Sequence, residues 1–465
     1  SLAGKVTWKM VDDGVTVTAP EISLANDDLA LNGDFTYRKP ADAAAELDLS
    51  LDLERLNVAS VKHYLPARVM SEKGVRWLDR SLVAGESRDG TVRISGRLDQ
   101  LPFDNGEGTL EVRLPVAGAT LDFNEDWTPV TELDAQVNFT GRRMDIRSER
   151  GRIRTASLHG VHARIADVID VPHLSIDGEV RGALPVMLAE LGSSPLGEQY
   201  GGFVDRAVTR GNAGLVLDLD VPLTSGGGEI TAAGRILLDN NNLRMQESDF
   251  DLTGIRGELV FDGDGIRGDA LQAKLNGRAA TARVWSDTEN PVTYIQLNGQ
   301  LALLPELLGD LYGDDRPVSG AANWQVEIAL RGTPVRGEPA NVGLRLASDL
   351  QGVSVRLPAP FGKTADTERA FELVVKNTEA VPQDVSLDWD DVLTGRLLLA
   401  AGDDGMQLRR GAISLGGDTV ELPADAGLHI AGRLQHVRLA DWLGLLEGGG
   451  GGSETQVHTA LEIDR

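Results

Sequence analysis

The chain has 465 residues, of which 41% are hydrophobic and 25% charged, as in a typical folded globular protein. Its 71 acidic residues outnumber the 45 basic ones, and the formal net charge of −26 opposes binding to nucleic acids and to anionic lipid headgroups, although not contact with uncharged lipid tails. The absence of cysteine excludes disulfides, cysteine-ligated zinc and cysteine nucleophiles. No stretch reaches the ~18 to 20 apolar residues that a transmembrane helix needs.

Alternating apolar and polar residues dominate the chain and predict antiparallel strands, each with one dry and one wet face. Turn dipeptides such as Asn32-Gly33 and Asn276-Gly277 separate these runs, which predicts short connections between neighbouring strands. Five runs carry the clearest apolar faces, and these faces are our candidates for contact with a ligand: Val92, Ile94 and Leu98; Leu110, Val112 and Leu114; Leu133, Val137 and Phe139; Leu215, Leu217, Leu219 and Val221; Trp324, Val326, Ile328 and Leu330.

Few segments show helical spacing. The segment "SEKGVRWLDRSL" begins at Ser71, a residue type that favours the N-cap, and places Val75, Leu78 and Leu82 on one side of a helix. Three short Leu-rich segments, "LPVMLAELG", "LLPELLGDLYG" and "RLADWLGLL", each follow a strand-like run, so we expect a small helix in each place. The glycine run at 448–453 predicts a flexible loop.

A strand-to-helix pattern occurs four times, and the aligned positions Asp52, Gly178, Gly299 and Gly432 are separated by 126, 121 and 133 residues. A period sustained over the chain predicts one elongated array of repeated units and not several independent globules. We therefore predict a mainly β protein of antiparallel strands, with roughly five or six strands and one short helical insert per repeat. The approximate units are 1–56, 57–183, 184–304 and 305–440, with 441–465 beginning a further unit.

No motif has the spacing of a catalytic or metal-binding site. His159 and His162 are three apart in a predicted strand, so we expect them on opposite faces. The "GKT" at 362–364 lacks the glycine of a phosphate-binding loop, because Leu357 stands in its place. The segment "FDGDGIRGDALQA" lacks the closing glutamate of a calcium loop, because Ala273 stands there. We predict a protein that is not an enzyme and that uses no cofactor and no metal.

Three segments, taken together, resemble segments of one known protein family. The segment "YLPARVMSEKGVRWLDRSLVAGESRDGTVRISGRLDQLPF" at 64–103 resembles the helical insert and returning strand of the YhdP family of AsmA-like proteins. The segment at 106–153, with "DFNEDWTPV" in the place of a Trp-Pro turn, resembles the strands that follow in that family. The segment at 344–373, with "LPAPFGK", resembles its LPAP-x-GK segment. None of these motifs is catalytic.

This resemblance implies a location and a fold. The family consists of large envelope proteins of Gram-negative bacteria, anchored in the inner membrane by an N-terminal helix and extending through the periplasm. The implied fold is an elongated β array curled into a taco-like open groove with an apolar floor. Because the chain begins and ends in strand-like sequence, we expect it to be a periplasmic middle part of a longer protein, whose contacts with the inner and outer membranes lie elsewhere.

The resemblance also implies a function, the movement of phospholipid from the inner toward the outer membrane. Few helices and few aromatic residues leave little material to cover the dry faces of a long sheet, which favours a covering of acyl chains. We expect a graded apolar strip without a discrete pocket. Two alternatives stay open: a structural or interaction β-protein of the envelope with a closed core, and a carbohydrate enzyme with paired carboxylates in a cleft.

Overall fold

The computed structural model describes residues 1–11, 14–64, 72–170, 173–193, 207–223, 230–245, 251–287, 292–307, 317–331, 341–376, 383–402, 405–416, 419–434 and 457–463. The chain divides into two compact units. Unit 1 comprises Ser1–Gly197, Arg210–Leu238 and Val260–Gly263, and unit 2 comprises Glu198–Thr209, Asp239–Leu259 and Asp264–Arg465.

Strands make up most of the described chain, as the alternating sequence predicts. The elements of the first 193 residues are β1 Leu2–Gly4, β2 Thr7–Val11, β3 Gly14–Ala25, β4 Leu29–Pro40, β5 Glu46–Asn57, the 3₁₀-helix η1 Val58–His63, α1 Glu72–Ser81, β6 Leu82–Ser87, β7 Gly90–Arg97, the 3₁₀-helix η2 Leu98–Gln100, β8 Thr109–Leu121, β9 Val130–Thr140, β10 Arg143–Ile153, β11 Ala156–Ile165, β12 His173–Ala183 and α2 Leu184–Ser193.

The remaining elements continue the same pattern. They are β13 Ala207–Arg210, β14 Asn212–Pro222, β15 Thr231–Met245, β16 Asp251–Asp262, β17 Gly265–Leu275, β18 Arg278–Asp287, β19 Val292–Leu301, α3 Leu303–Leu307, β20 Val318–Gly320, β21 Ala322–Arg331, β22 Asn341–Ser348, β23 Val353–Val355, β24 Phe371–Lys376, β25 Gln383–Trp389, β26 Leu393–Gly402, β27 Gly405–Leu415, β28 Gly427–Leu434 and β29 Val457–Ile463.

In unit 1 the strands form an antiparallel ladder. It runs from β3 through β4, β5, β7, β8, β9, β10, β11, β12 and β14 to β15. Strands β1 and β2 both pair with β3. In such a ladder, directly opposed residues point to the same face, so the register fixes which side chains share a surface.

In unit 2 the ladder runs from β17 through β18, β19, β21, β22, β24, β25 and β26 to β27, again antiparallel. The last two pairings, of β27 with β28 and of β28 with β29, are parallel. A parallel neighbour requires a crossover connection in place of a hairpin. The mainly β, antiparallel prediction is confirmed, with this parallel end as an addition.

The predicted repeat appears as a recurring set of elements. The four repeat strands are β5, β12, β19 and β28, and helical residues follow directly after the first three. In each of these three cases the chain then forms a short strand and a longer one that returns to pair antiparallel with the repeat strand. In the described chain, the steps from β5 to β12 and from β12 to β19 are each seven strands. The estimate of five or six was low because the short strands carry too few residues to show alternation.

Three local predictions fail for identifiable reasons. Asn32-Gly33 lies inside β4 and not in a turn, and a side chain at Gly33 would meet the backbone of Ser50 in β5. Leu98 begins η2 and so does not continue the face of β7. His159 and His162 both lie on the polar face of β11, because a register shift between them adds one residue and they oppose Glu179 and Asp177.

Other local predictions hold. Asn276-Gly277 forms the turn between β17 and β18, and α1, α2 and α3 occupy three of the predicted helical segments. Ser71, the segment "RLADWLGLL" and the glycine run at 448–453 lie outside the described residues. Within the part of the chain that the structure describes, no helix combines the length and the apolar character needed to cross a bilayer.

Candidate functional site

A continuous apolar row crosses six strands of unit 1. Strand register joins its members directly, from β8 through β9, β10, β11 and β12 to β14. All six are half-buried, so each keeps a part of its surface in contact with solvent. We call this set the central row: Leu114, Val137, Ile146, Ala163, Ile176 and Leu219.

The other candidates in unit 1 extend the same face on both sides of the central row. Val92 opposes Val112, which opposes Phe139, and Ile94 opposes Leu110. Leu133 opposes Ala119 beyond a register shift. Leu215 opposes Val180, Leu217 opposes Gly178 and Val221 opposes Leu174. Every one of these candidates is half-buried, so none of the predicted face in unit 1 is sealed.

The opposite face of the same strands is polar. Asp52 accepts a hydrogen bond from the Arg93 guanidinium at 2.7 Å, and Asp177 accepts one from Arg164 at 2.6 Å. Asp145 lies 2.6 Å from His162, and this hydrogen bond holds the pKa of Asp145 below its ordinary value. Cross-strand ion pairs at exposed sites contribute little stability each. These ion pairs keep the polar face in contact with water. The apolar face is therefore the surface that is available to a hydrophobic ligand.

The carboxylate of Glu190 links helix α2 to other residues of unit 1. Glu190 accepts hydrogen bonds from the backbone N–H and the hydroxyl of Thr128, at 3.1 and 2.7 Å, and from Arg154 at 2.7 Å. Burial disfavours the ionised form of Glu190, but the hydrogen bonds from Arg154 and Thr128 outweigh it and keep the pKa of this carboxyl below its ordinary value. The insert that follows β12 is therefore held against the sheet by its own ionic contact.

Phe103 closes one end of the apolar face beside β7 and β8. It is buried, with 6% of its surface exposed, and its ring lies where side chains of Gly96 and Gly108 would otherwise project. Gly96 has the same strand parity as Ile94, so the ring rests on the apolar side. The loop after η2 therefore forms a local edge to the face.

Unit 2 carries two apolar rows with different environments. The first crosses β18 to β25 and comprises Ala282, Leu297, Val326, Leu346, Leu373 and Leu387. Its first four members are buried in a large core cluster that includes Trp324, and Leu373 packs against that cluster. We call it the capped row. The second, which we call the open row, comprises Val284, Ile295, Ile328, Leu344, Val375, Val385 and Leu397. Its members are half-buried except Val385.

The capped row is covered by two short segments of unit 2 itself. These are residues 317–320, with β20, and residues 349–369, with β23, and together we call them the cap. Strands β20 and β23 pair with each other over three residues in a separate small sheet. Val318, Leu350, Val353 and Val355 of the cap are buried in the same cluster as Trp324 and Val326. The two predicted candidates Trp324 and Val326 are therefore sealed, with 2% and 0% exposure.

Lys363 of the "LPAPFGK" segment holds the cap together. Its side chain is buried, with the residue 7% exposed, and its ammonium donates to the carbonyls of Leu350 at 2.7 Å, Val353 at 2.8 Å and Thr364 at 3.1 Å. Burial lowers the pKa of Lys363 below its ordinary value. A fixed ammonium that meets three backbone carbonyls ties separate parts of the loop to one another.

Two indole N–H groups beneath the cap lack an acceptor. Among the described residues, neither Trp324 Nε1 nor Trp389 Nε1 has a hydrogen-bond partner, although both atoms are buried. Leaving a buried donor unpaired costs about 1–3 kcal/mol. Trp324 packs edge-on against Phe371 with ring centroids 5.7 Å apart, and Trp389 lies 6.4 Å from Phe361 of the cap. The closed arrangement therefore leaves both indole donors without an acceptor among the described residues.

The alternation pattern identifies the strands with the clearest apolar faces but not Ile146 and Ile176 of the central row, although both lie in alternating runs. No sequence signal indicates the cap, because the pairing of β20 with β23 joins three-residue strands that are more than thirty residues apart. Leu98 is the one candidate that the structure separates from the apolar face.

These features define a class of protein: an antiparallel β-sheet protein in which one face of the strands is charged and the other is an apolar surface that is partly open. The chain matches the model of the YhdP protein family over residues 1–464 and therefore belongs to this family.

Among curated proteins, the chain is 23% identical over 474 aligned residues to the "intermembrane phospholipid transporter YhdP" of Escherichia coli (strain K12). The match covers 98% of this chain and 36% of that relative, so the chain spans about a third of the relative's length. No solved structure gives a significant match.

Proposed function

We propose that this chain is a non-enzymatic part of a phospholipid conduit, located in the periplasm of a Gram-negative bacterium. Acyl chains lie along the apolar face, headgroups stay in water, and lipid moves from the inner toward the outer membrane. No cofactor or metal takes part. The contacts with the two membranes are made by parts of the protein outside this chain. The transporter function of the E. coli relative, as its name states it, and the family membership support this proposal.

The observation that carries the proposal is the central row. Six apolar residues follow one another across six strands and stay half-buried. Exposing a tail of ~16 carbons to water costs roughly 13 kcal/mol at about 0.8 kcal/mol per CH₂. A row of partly open apolar side chains removes that cost at each step. Because the six positions are half-buried alike, no single position holds the tail tightly enough to stop it.

A second candidate function is favoured by the core of unit 2. There Trp324 and Val326 are covered by the chain itself, as the alternative of a structural β-protein with a closed core requires. Unit 1 does not follow this pattern, since all its candidates on strands are half-buried. The two readings differ in one measurable respect, which is whether the purified chain retains phospholipid.

The test is native mass spectrometry and lipid extraction of the purified 465-residue chain. We expect several phospholipids per chain in the wild type and a marked loss in Leu217→Asp, which places a charge on the apolar face. Val216→Asp is the matched control, because Val216 is the preceding residue of β14, half-buried on the other face. Retention of no lipid by the wild type, or equal loss in both variants, would overturn the proposal.

A further inference from the structure

We propose that the cap of unit 2 is a movable lid over a second lipid-binding surface, and that Trp324 and Trp389 beneath it donate hydrogen bonds to the ester carbonyl oxygens of a phospholipid when it opens. This inference rests on the proposed function. It goes beyond it by naming a hinged cover, the surface that it hides and the donors that recognise the lipid.

The hidden surface is built in the same way as the open one. The capped row continues from strand to strand through direct register, as the central row of unit 1 does. Ile328 and Leu344 of the open row beside it are half-buried and pack against the same core cluster. Removing the cap would therefore extend an apolar strip that is already open, and would not expose an isolated core.

The cap is organised as a body of its own. The backbone hydrogen bonds from Arg356 N–H to Pro317 O, from Gly352 N–H to Ala365 O and from Arg369 N–H to Asp349 O all join cap residues to cap residues. Lys363 adds three bonds within the same body. The cap meets the strands beneath it through apolar side chains and through Arg369, whose guanidinium lies 5.8 Å from the centroid of the Trp389 ring. Where the cap joins β22, the N–H of Leu350 also donates to the Ser348 hydroxyl at 3.0 Å. Contacts of this kind separate without breaking the ladder.

The two indoles identify the ligand chemistry. Both N–H groups are buried and unpaired in the closed arrangement, whereas buried donors are normally satisfied. An ester carbonyl sits at the junction between the tails and the headgroup of a phospholipid, so it reaches a donor that borders an apolar surface without bringing a charge into it. Lipid binding would therefore satisfy donors that the closed cap leaves unsatisfied.

The experiment uses the purified full chain and a phospholipid with a diazirine in one acyl chain. After irradiation, fragmentation of the labelled peptides assigns each adduct to a residue, so that adducts on Trp324 and Val326 are counted apart from those on Ile328 of the open row. We expect adducts on the unit 1 face near Leu217 and on Trp324 and Val326, which we call the β21 adducts. Lys363→Met, which removes the three hydrogen bonds of the ammonium, should raise the β21 adducts several-fold and leave the Leu217 adducts unchanged. Lys376→Met, at an exposed lysine of β24, is the matched control.

The outcomes of this experiment distinguish failure of the lid proposal from failure of the proposed conduit function. Adducts in unit 1 without any β21 adducts, in both the wild type and Lys363→Met, would overturn the lid and leave the proposed function standing. Adducts in neither place would overturn both. Trp324→Phe, which removes only the indole N–H, should lower the β21 adducts by about three- to tenfold, the range expected for one hydrogen bond; an unchanged yield would contradict the donor role.

A second measurement on the wild type covers the case in which Lys363→Met does not fold. Hydrogen exchange should show the amides of Val353, Val355 and Lys363 opening together and faster than those of β21. Exchange of the cap and β21 at one common rate would show a static core and would overturn the inference.

Discussion

Val326 in β21 is fully buried directly opposite Leu297, its cross-strand partner in β19. In unit 1, Leu219 opposes Ile176 with the same antiparallel geometry, yet both residues stay half-buried. The strands that carry the two pairs are alike in their alternation and in their register. The difference comes from the cap, which covers the first pair, so the two pairs offer a direct comparison of a closed and an open apolar surface.

This comparison predicts different stability losses for the same substitution. Leu297→Ala should lower the free energy of unfolding by about 3 kcal/mol, because it leaves a cavity among close-packed neighbours. Leu219→Ala should cost no more than about 1 kcal/mol, since part of that side chain is already in water. Urea denaturation of both variants measures the difference. Equal losses would show that the unit 1 face is packed as tightly as the unit 2 core.

An introduced charge should separate the two surfaces even more clearly. Val326→Asp places a carboxylate at a fully buried position and should disrupt the folding of unit 2, visible as lost near-ultraviolet dichroism from Trp324 and Trp389. Leu217→Asp should keep the wild-type spectrum and reduce bound phospholipid. A folded Val326→Asp protein would show that its site is wetter than the structure indicates.

Acid should release helix α2 through Glu190. The pKa of this carboxyl is lowered in the folded state, so its ionised form contributes stability above its unfolded pKa, near 4.5, and that contribution disappears as the pH falls through the lower folded value. Hydrogen exchange of the α2 amides should therefore accelerate as the pH falls below about 4.5, relative to other amides.

Glu190→Gln isolates that effect. It should weaken α2 at pH 6 and remove the acid-dependent step, whereas Glu149→Gln, at an exposed residue of β10, should leave both as in the wild type. Persistence of the step in Glu190→Gln would assign the acid sensitivity to another group.

Gly96 should not tolerate a side chain while Phe103 is present. Its φ is +137°, and a Cβ would lie 2.6 Å from the Phe103 ring. We expect Gly96→Ala to cost about 2 kcal/mol. Gly106→Ala should cost about 1 kcal/mol, because that glycine has a positive φ but no neighbour in the way. Urea unfolding of Gly96→Ala in a Phe103→Ala background should recover part of the loss; purely additive effects would argue against the contact.

The sequence predicts the strands of this fold well, because alternation records which side of each strand is dry. Val112, Val137 and Leu219 share one face as expected, since the ladder preserves the two-residue period. Alternation fails where the period is interrupted. The register shift between His159 and His162 puts both on one side, and η2 removes Leu98 from its face.

Alternation also does not indicate which residues, if any, cover the apolar face of a strand. Trp324 and Leu217 occupy equivalent positions in their patterns, but one is buried and the other half-buried. Trp324 is buried because the cap strands β20 and β23 lie over its face. These two strands are far apart in the sequence, and each is too short to show a two-residue period. The division into five sequence units and the role of the apolar faces as a lipid-contacting surface stay predictions.

The recurring step from one repeat strand to the next has a consequence for how proteins of this kind change in size. In unit 1, six rungs of the ladder separate β5 from β12, which at about 4.8 Å per rung is a distance of about 29 Å. We call the elements from one repeat strand to the next a module. Each module begins with a repeat strand, a helix and a returning strand, and the next module begins with the same three elements. One module can therefore be duplicated or deleted while its neighbours keep their strand pairing. Evolution can thus change the number of strands in such a ladder in fixed increments of one module.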